Sequence, residues 1–510
     1  MKADSVKVLI IMDGVGVPLD AKVSGVTKQN TKYLQYLAKN YPNGLLEASE
    51  EAVGLPSGQT GTSDIGHLTI GTGRVNFQPL VRINKAIESG EFDNNPAILA
   101  AIKNAKKPGK AMHLLGIPTD GGVHGHISHL LHLIELCAKH SLKKVYIHYF
   151  TDGRDAPQKS ANKYFDIIQA KIDECKCGEI VNAVGRFYAM DRDNNWDRVQ
   201  VAYDLMVNGK GRACHNLKEA IEEEYSQGRT DEFLLPLVKV GSNGKPVATI
   251  NPGDSVISYD YRADRERQLA WVLSDCCTLP YAKKLGLTLV CMTNYDESLK
   301  GVLIAYDTIK KNNILSEVLS DRGYKQLKIA ETEKYAYVTF SFNAGRNEPY
   351  PNEDRKLIAS TKMPLYSAKP EMCAREIADE AVAGINSGKY DCIIINFANG
   401  DMVGHSGEID AAKIAVGVVD QCVHKVVEAA LKVNGEVIVT ADHGNADIMK
   451  YPDGSPHTSH TINKVPVFVV GKKFKGKHTK LSGTLADIAP TYLKLLGENI
   501  PADMTGTPLI

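Results

Sequence analysis

The sequence predicts an α/β protein with largely parallel sheets, organised as two α/β domains. Three observations support this prediction. Short runs rich in valine and isoleucine alternate with amphipathic segments along the chain. The length of 510 residues exceeds the size at which a single hydrophobic core usually stops growing. The polar residues that follow the apolar runs also fall into two chemical groups, located in different parts of the chain.

Seven apolar runs have the length and composition of buried strands. They are "KVLII", "KKVYIHYF", "EIVNAV", "LTLVCM", "DCIIINF", "GEVIVTA" and "VPVFVV". Segments such as "NKYFDIIQAKIDEC" and "AAKIAVGVVDQCVHKVVEAALKV" repeat apolar residues every three or four positions, which predicts helices. Ligands of parallel sheets bind at the carboxyl ends of the strands. The residues just after each run are therefore the candidates for function.

The residues that follow the strands near the two chain ends are typical metal ligands. They are Asp13, Asp401, His405, Asp442 and His443, together with His457 or His460 from the segment "HTSH". Mixed oxygen and nitrogen ligands suit Mn²⁺, Zn²⁺, Co²⁺ or Fe²⁺ better than Ca²⁺, and the lack of cysteine argues against a structural zinc site. The set is large enough for two ions, which together clamp the oxygens of an in-line displacement at phosphorus.

The residues that follow the middle strands are of types that bind anions. They are His124, Arg154, Asp155, Arg186, Arg192, Arg262 and Arg265. One such arginine alone, Arg186 or Arg265 for example, is usually a surface ion pair worth about 0–1 kcal/mol. Basic residues in four strand-end loops together indicate a substrate site. The simplest organisation is a metal domain formed by residues 1–76 and 311–510, with a substrate-binding domain inserted at residues 77–310.

A glycine-rich stretch, "LPSGQTGTSDIGH" at residues 55–67, offers several hydroxyl groups to these metals. A serine hydroxyl is a weak nucleophile at neutral pH and needs a base or a metal. Ser63 is also suited to cap the helix that begins near "SDIGHLTI". The two roles are compatible because a helix N-terminus favours phosphate. Ser57, Thr60 and Thr62 compete with Ser63, and composition does not choose among them.

The chain closely resembles the cofactor-independent phosphoglycerate mutases, whose metal domain belongs to the alkaline phosphatase superfamily. The resemblance covers essentially the whole length and rests on "IMDGVG", "GLPSGQTGTSDIGHLTIGTGR", "DGGVHGHISHL", "FTDGRDAP", "GRFYAMDRDNNWDR", "YRADRERQ", "AETEKYAYVTFSFN", "NFANGDMVGHSG", "TADHGNAD" and "PHTSHT". It implies an alkaline-phosphatase-like metal domain from both termini and an inserted α/β transferase domain. Two stretches depart from the family pattern. Thr62-Ser63-Asp64 replaces the usual Asn-Ser-Glu, and "SYDY" replaces a Phe-rich stretch before Arg262.

The resemblance also implies a role for each candidate residue, with Ser63 as the phosphorylated serine. The implied catalytic residues are Ser63, Asp155 as acid and base, and Lys334 in "ETEKYA". The implied metal ligands are Asp401, His405 and His460 at one ion, and Asp13, Ser63, Asp442 and His443 at the other. The implied substrate-binding residues are His124, Arg154, Asp155, Arg186, Arg192, Arg262, Arg265 and Lys334. The resemblance thus prefers His460 to His457.

The implied reaction interconverts 3-phosphoglycerate and 2-phosphoglycerate in glycolysis and gluconeogenesis, through a phosphoserine. It uses two divalent metal ions and no 2,3-bisphosphoglycerate. We expect Mn²⁺, with Mg²⁺, Co²⁺ or Zn²⁺ as alternatives. Metals and arginines on separate domains predict domain closure during turnover. The alternatives are another metal-dependent phosphotransferase or phosphatase of the superfamily, and a non-catalytic protein that binds metal or a phosphosugar.

Charge and cysteine content bear on partners and location. Lysine plus arginine and aspartate plus glutamate number 60 each, so no net field favours nucleic acid or a membrane. The ten cysteines form no C-x-x-C pair and are typical of reduced thiols in a cytosolic protein. No apolar run has the length of a secretory signal or a membrane span. We therefore expect a cytoplasmic monomer whose partner is a small phosphoglycerate substrate.

Overall fold

The computed structural model describes residues 3–309 and 311–510. It divides the chain into two compact units. The terminal unit consists of Met1–Gln78 with Lys310–Ile510, and the inserted unit is Pro79–Ile309. Residues 1 and 2, and residue 310 at the predicted domain boundary, lie outside the described residues. Each unit contains an eight-stranded sheet with helices, so the predicted class of two α/β domains is confirmed.

The strands are numbered in chain order. They are β1 (Lys7–Met12), β2 (Asn43–Glu47), β3 (Met112–Gly116), β4 (Val145–Thr151), β5 (Glu179–Gly185), β6 (Arg212–Cys214), β7 (Leu237–Lys239), β8 (Ser255–Ser258), β9 (Thr288–Thr293), β10 (Leu303–Tyr306), β11 (Gln326–Glu331), β12 (Glu353–Ile358), β13 (Cys392–Phe397), β14 (Glu436–Thr440), β15 (Val465–Val470) and β16 (Lys480–Thr484). The seven apolar runs of the sequence correspond to β1, β4, β5, β9, β13, β14 and β15, so those predicted strands are confirmed.

The α-helices are numbered in the same way. They are α1 (Lys32–Asn40), α2 (Ser63–Thr72), α3 (Pro79–Ser89), α4 (Pro96–Ala105), α5 (Ile127–Lys139), α6 (Ala161–Cys175), α7 (Arg186–Ala189), α8 (Trp196–Asn208), α9 (Leu217–Ser226), α10 (Ala263–Leu273), α11 (Leu315–Asp321), α12 (Thr332–Ala336), α13 (Ala374–Asn386), α14 (Asn399–Gly404), α15 (Ile409–Lys432) and α16 (Ile488–Leu495). The two predicted helices are α6 and α15. Within the described residues, no helix combines the length and apolarity needed to cross a bilayer.

The sheet of the terminal unit has the strand order β12-β11-β13-β1-β14-β15-β2-β16. The strands from β12 to β14 are parallel, and β15 runs antiparallel to both β14 and β2. In the middle of the sheet, Ile10 lies beside Ile395 on one side and Val439 on the other, and all three are fully buried. Because β11, β13, β1 and β14 are parallel neighbours, their carboxyl ends meet at one edge.

The sheet of the inserted unit has the strand order β10-β9-β8-β3-β4-β5-β7-β6. The strands from β10 to β5 are parallel, and β7 is antiparallel to β5. Two apolar clusters, one containing Ile147 and the other Val256, form its core. The carboxyl ends of β8, β3, β4 and β5 therefore also lie along one edge.

Candidate active site

Four neighbouring strands of the terminal unit bring charged side chains to the same edge. Asp13 follows β1, Asp401 follows β13, Asp442 follows β14, and Lys334 lies in the helix after β11. All four side chains are buried. Burying charges is costly unless they are paired or bind a cation. This concentration of buried charge therefore indicates a functional site.

Ser63 is the first residue of α2 and its hydroxyl points into this charged cluster. Its Oγ lies 2.6 Å from Lys334 Nζ, 2.9 Å from His443 Nε2 and 3.2 Å from Asp13 Oδ1. Lys334 Nζ also lies 2.6 Å from Asp401 Oδ2 and 2.8 Å from Asp13 Oδ1. One ammonium group thus contacts the hydroxyl and two of the carboxylates.

The competing hydroxyls of the same loop are placed differently. Thr62, and not Ser63, is the N-cap of α2, because Thr62 Oγ1 accepts a hydrogen bond from Ile65 N at 3.4 Å. The interpretation of Ser63 as the helix cap is therefore wrong, and the cap leaves the Ser63 hydroxyl available. Ser57 is exposed to solvent.

Three imidazoles turn Nε2 toward the cluster and Nδ1 away from it. The Nδ1 atoms of His405, His460 and His443 face backbone carbonyl oxygens at 2.7, 2.7 and 3.3 Å. This network directs Nδ1 to the carbonyl oxygens and leaves Nε2 as the atom that would bind a metal once it has lost its proton, the arrangement expected of histidines that bind a metal. The Nε2 atoms of His405 and His460 lie 3.2 and 3.0 Å from Asp401 Oδ1.

The two histidines of the "HTSH" segment differ in their surroundings. His460 stacks on His443, with the ring centroids 3.9 Å apart, and reaches Asp401. His457 packs against Tyr451, with the centroids 4.6 Å apart. The structure thus brings His460 and not His457 into the cluster.

The donor atoms of the terminal unit fit divalent cations. Three groups of ligand atoms lie within 4.8 Å of one another, namely Asp401 with His405 and His460, Asp13 with Asp401 and His443, and Asp13 with His67 and Asp442. Asp442 Oδ2 is buried and has no hydrogen-bond donor among the described residues. A bound transition-metal ion would explain why this buried carboxylate oxygen, which lies beside other oxygen and nitrogen ligands, has no hydrogen-bond partner in the described part of the chain.

Sequence reasoning missed two residues that support these ligands. Asn396 Nδ2 donates to Asp13 Oδ2 at 2.7 Å and lies 3.0 Å from His67 Nε2. His67 Nδ1 lies 2.8 Å from Ser63 O and 3.2 Å from Asp442 Oδ2. The single Nδ1 proton goes to the closer carbonyl, which leaves Asp442 Oδ2 free. The four-residue spacing from Ser63, one helical turn, is a signal that points to His67.

Electrostatic coupling within the cluster shifts several pKa values of the protein side chains. Burial lowers the pKa of Lys334, but the surrounding carboxylates, led by Asp13 and Asp401, outweigh it and raise that pKa. Burial likewise disfavours the imidazolium of His443, but the carboxylate of Asp442 raises its pKa to about 9. For Asp401, burial opposes ionisation, while the charge of Lys334 holds its pKa well below the ordinary value. Lys334 is therefore a permanent cation at neutral pH.

In the inserted unit, the strand-end residues His124, Asp155 and Arg186 form a group. Arg186 NH1 lies 2.6 Å from both Asp152 Oδ1 and Asp155 Oδ2, and His124 Nε2 lies 3.7 Å from Asp155 Oδ2. The alternative of a surface ion pair is wrong for Arg186, whose side chain is only 3% exposed. Burial first, and then the charge of Arg186, lowers the pKa of His124 to about 4. His124 is therefore neutral at physiological pH.

A cavity of about 260 Å³ in the inserted unit is lined by four of the predicted arginines, Arg154, Arg186, Arg192 and Arg265. Burial and the like charges of the other three lower the pKa of Arg265. An anion in the cavity would relieve this repulsion. Arg262 is outside the lining residues of this cavity, and its Nε lies 3.1 Å from Asp264 Oδ1.

Comparison with known proteins identifies the family. A family model described as the BPG-independent PGAM N-terminus matches residues 83–297. A protein of Clostridium beijerinckii named 2,3-bisphosphoglycerate-independent phosphoglycerate mutase is 46% identical over 505 residues, which cover 98% of each chain. A relative of the same name from Acetivibrio thermocellus is 43% identical over 511 residues, 99% of each chain. The chain belongs to the 2,3-bisphosphoglycerate-independent phosphoglycerate mutases.

Family membership confirms the predicted enzyme class, an isomerase of the phosphoglycerate mutase type. Among solved structures, a phosphoglycerate mutase of Leishmania mexicana studied at low cobalt concentration shares 29% identity, covers 99% of both chains and has a TM-score of 0.53. The two departures from the family pattern fit their surroundings. Asp64 accepts a hydrogen bond from Ser341 Oγ at 2.5 Å, and Tyr261 N donates to His124 O at 2.7 Å.

Proposed function

We propose that the protein interconverts 3-phosphoglycerate and 2-phosphoglycerate through a phosphoserine formed at Ser63, without 2,3-bisphosphoglycerate. The observation that carries the proposal is the position of the Ser63 hydroxyl. It lies within 3.2 Å of an ammonium, a carboxylate and an imidazole at the edge of the sheet. A serine with none of these neighbours is a poor nucleophile at neutral pH. The names of the family members support the substrate.

Two divalent ions complete the proposed site. Asp401, His405 and His460 would hold one ion, and Asp13, Ser63, Asp442 and His443 would hold the other. When bound, the ions supply positive charge that lowers the pKa of a nearby hydroxyl and stabilises phosphoryl oxygens. Carboxylates with imidazoles favour Mn²⁺, and Mg²⁺, Co²⁺ and Zn²⁺ are the alternatives to test.

The terminal unit performs the transfer to serine. The proton of the Ser63 hydroxyl has an acceptor in Asp13 Oδ1. The bond from Ser63 Oγ to phosphorus forms while the bond from phosphorus to the glycerate oxygen breaks. The ammonium of Lys334, 2.6 Å from Ser63 Oγ, stabilises negative charge on that oxygen and on the transferring group.

The inserted unit retains the glycerate, and this separates a mutase from a phosphatase. Hydrogen bonds to charged groups contribute about 1.5–3 kcal/mol each. Two arginines, Asp155 and His124 together would supply roughly 6–12 kcal/mol, against a cost of about 4–15 kcal/mol for immobilising a ligand. A single arginine is too little. The proposed substrate-binding residues of the inserted unit are His124, Arg154, Asp155, Arg186, Arg192, Arg262 and Arg265. Lys334 is the proposed substrate-binding residue of the terminal unit.

Asp155 is the proposed acid and base for the two glycerate hydroxyls. Its Oδ2 lies 2.6 Å from Arg186 NH1, which orients the carboxyl group. In the first half-reaction the Asp155 carboxyl group gives its proton to the glycerate oxygen that leaves phosphorus, and in the second the resulting carboxylate takes the proton of the hydroxyl that attacks the phosphoserine. Asp155 then starts and ends the cycle in the same protonation state. His124, whose Nε2 lies 3.7 Å from Asp155 Oδ2, is neutral and therefore adds no charge to the pair formed by Asp155 and Arg186.

Phosphorus NMR of the metal-loaded protein with 3-phosphoglycerate, in the absence of 2,3-bisphosphoglycerate, tests the proposal. We expect 2-phosphoglycerate to appear, Ser63→Ala to abolish it, and Ser57→Ala, an exposed hydroxyl of the same loop, to retain it. Free phosphate without 2-phosphoglycerate would favour the phosphatase alternative. Full function in Ser63→Ala would favour a non-catalytic binding protein. Activity that required added bisphosphoglycerate would contradict the phosphoserine route.

The proposal extends to a cytoplasmic monomer without nucleic-acid or membrane partners. All ten cysteines are free, which is typical of a reducing compartment. The equal numbers of acidic and basic residues give no net attraction to nucleic acid or anionic lipid. Light scattering of the metal-loaded protein at micromolar concentration tests the monomer, and a molar mass of twice the chain mass would contradict it.

A further inference from the structure

A pair of buried carboxyl groups lies behind the substrate-binding residues of the inserted unit. Asp260 follows β8 and is 0% exposed, and Glu266 in the first turn of α10 is 1% exposed. The two carboxyl groups face each other closely enough to share a hydrogen bond. Such a bond needs one proton, because ionised carboxylates only accept. Glu266 Oε1 finds no other donor among the described residues, which is consistent with a proton on Asp260.

Asp260 anchors the loop that carries His124. Ile117 N, at the end of β3, donates to Asp260 Oδ1 at 3.0 Å and to Oδ2 at 3.2 Å. A Cβ atom at Gly125 would lie 2.0 Å from Asp260 Oδ1, so the loop closes directly on the carboxyl group. The backbone of the next residue, Tyr261, donates to His124 O at 2.7 Å. The position of His124 therefore depends on Asp260.

Glu266 anchors the helix that carries two of the arginines. Its Oε2 accepts a hydrogen bond from Ser258 Oγ at 3.0 Å, which ties α10 to the end of β8. Arg262 is the N-cap of this helix, and Arg265 immediately precedes Glu266 in the chain. A rotation of α10 about this point would move both guanidinium groups.

We propose that Asp260 and Glu266 are positioning residues that share one proton and so hold the His124 loop against α10. Loss of this proton at alkaline pH then weakens substrate binding. The inference deepens the proposed function and rests on it. Neither side chain contacts substrate in this scheme. They act through His124, Arg262 and Arg265.

The charges around the pair explain why the proton matters. Burial raises the pKa of both carboxyl groups, and the charge of Glu266 raises that of Asp260 further. Asp264 acts in the same direction on Glu266, while the cation of Arg186 opposes the shift at both. The other titratable groups that face the pair are Tyr259, Tyr261, Tyr295 and Cys291, whose own pKa values are raised by burial. A second negative charge on the pair would therefore be repelled by the first, with Arg186 as the cation that partly offsets the repulsion.

The test compares how KM for 3-phosphoglycerate depends on pH between 6.5 and 9.5 in the metal-loaded wild type and Asp260→Asn. An asparagine amide keeps an acceptor for Ile117 N and supplies a donor to Glu266, but it has no proton to lose. Each KM is divided by that protein's own value at pH 7. We expect a rise of roughly tenfold in the wild type, because small misplacements of binding groups are costly, and no more than about twofold in Asp260→Asn.

Controls separate positioning from general damage. Asp275→Asn, an exposed aspartate of the same unit that accepts from Leu285 N, should follow the wild type. Metal-site titrations affect all three proteins alike and cancel in the comparison. If Asp260→Asn does not fold, as judged by circular dichroism, Glu266→Gln provides the same test, with the same flattened profile expected. Equal rises of KM in wild type and variant, or a flat wild-type profile, would overturn the inference.

The failure of this inference is distinguishable from failure of the proposed function. The dissociation constant of 3-phosphoglycerate, measured by calorimetry in Ser63→Ala over the same pH range, reports binding without turnover. An alkaline loss of affinity that Asp260→Asn removes, in a protein that makes no 2-phosphoglycerate, would support the pair and reject the mutase reaction. A protein that fails to bind 3-phosphoglycerate at pH 7 would overturn both.

Discussion

Replacement of Lys334 by methionine should affect stability and catalysis in a manner that depends on metal. The side chain is 3% exposed, and its ammonium lies within 2.8 Å of Ser63 Oγ, Asp13 Oδ1 and Asp401 Oδ2. Removal of one partner from a buried ion pair costs about 3–5 kcal/mol. For a unit of this size, that is a fall in Tm of roughly 6–20 °C in chelator-treated protein. Divalent ions supply replacement charge, so the fall should shrink when metal is added.

The assay is differential scanning calorimetry with and without Mn²⁺, combined with kcat measurements. We expect Lys334→Met to lower kcat by about 10²–10³-fold even when loaded, because charge on the transferring group loses a partner. Lys328→Met is the matched control. Lys328 is fully buried on β11, and its Nζ lies 2.5 Å from Asn343 Oδ1 and 3.6 Å from Glu353 Oε1. The Lys328→Met substitution should lower Tm by the same amount with and without metal. If Lys334→Met lowers Tm equally in both conditions, the reasoning about a shared cluster of charge is refuted.

Three further predictions concern single residues. Asn396→Leu should weaken Mn²⁺ binding, measured by calorimetry, about 10–100-fold, because Asp13 loses the donor that orients it. Asn182→Leu, which replaces a buried asparagine of the inserted unit, should leave Mn²⁺ affinity unaltered. Equal Mn²⁺ affinities in the two variants would count against this role of Asn396. His460→Ala should reduce the number of ions bound per chain in elemental analysis while His457→Ala should not, and the reverse pattern would reassign the ligand. Because burial lowers the folded-state pKa of His124 to about 4, the unfolded chain binds its proton first, so stability should fall as pH drops from 6.5 toward 4. In urea titrations, His124→Gln should show a shallower fall, and an identical slope would show that His124 is not the cause.

The strand-end carboxylates could be predicted because their strands are fully buried. Runs such as "KVLIIM" have no polar alternation, which identifies a central parallel strand, and Asp13 is the first polar residue after one of them. Sheet order then places Asp13, Asp401 and Asp442 side by side without knowledge of the loops. For these residues, the local sequence pattern and the strand order of the sheet predict the same positions.

Other features depend on contacts between distant segments and left no local pattern. The strand β11 carries Lys328 in its middle, so it does not read as an apolar run, and Lys334 after it was predicted through the family resemblance alone. Asn396 lies inside the apolar run "DCIIINF", and its partner Asp13 is 383 residues away. The sequence also gives no sign that β15 is antiparallel, because a buried run of either direction has the same composition.

The main-chain carbonyls behind the three imidazoles have a consequence for protein engineering. The Nδ1 atom of each ring faces a peptide oxygen, so the main chain sets which nitrogen points into the cluster. Libraries that randomise the side chains flanking the three histidines should therefore keep the ring orientations as long as the backbone path is preserved and Asn396 is retained. A designer who grafts this arrangement onto another scaffold must copy the loop trajectories first and the flanking amino acids second.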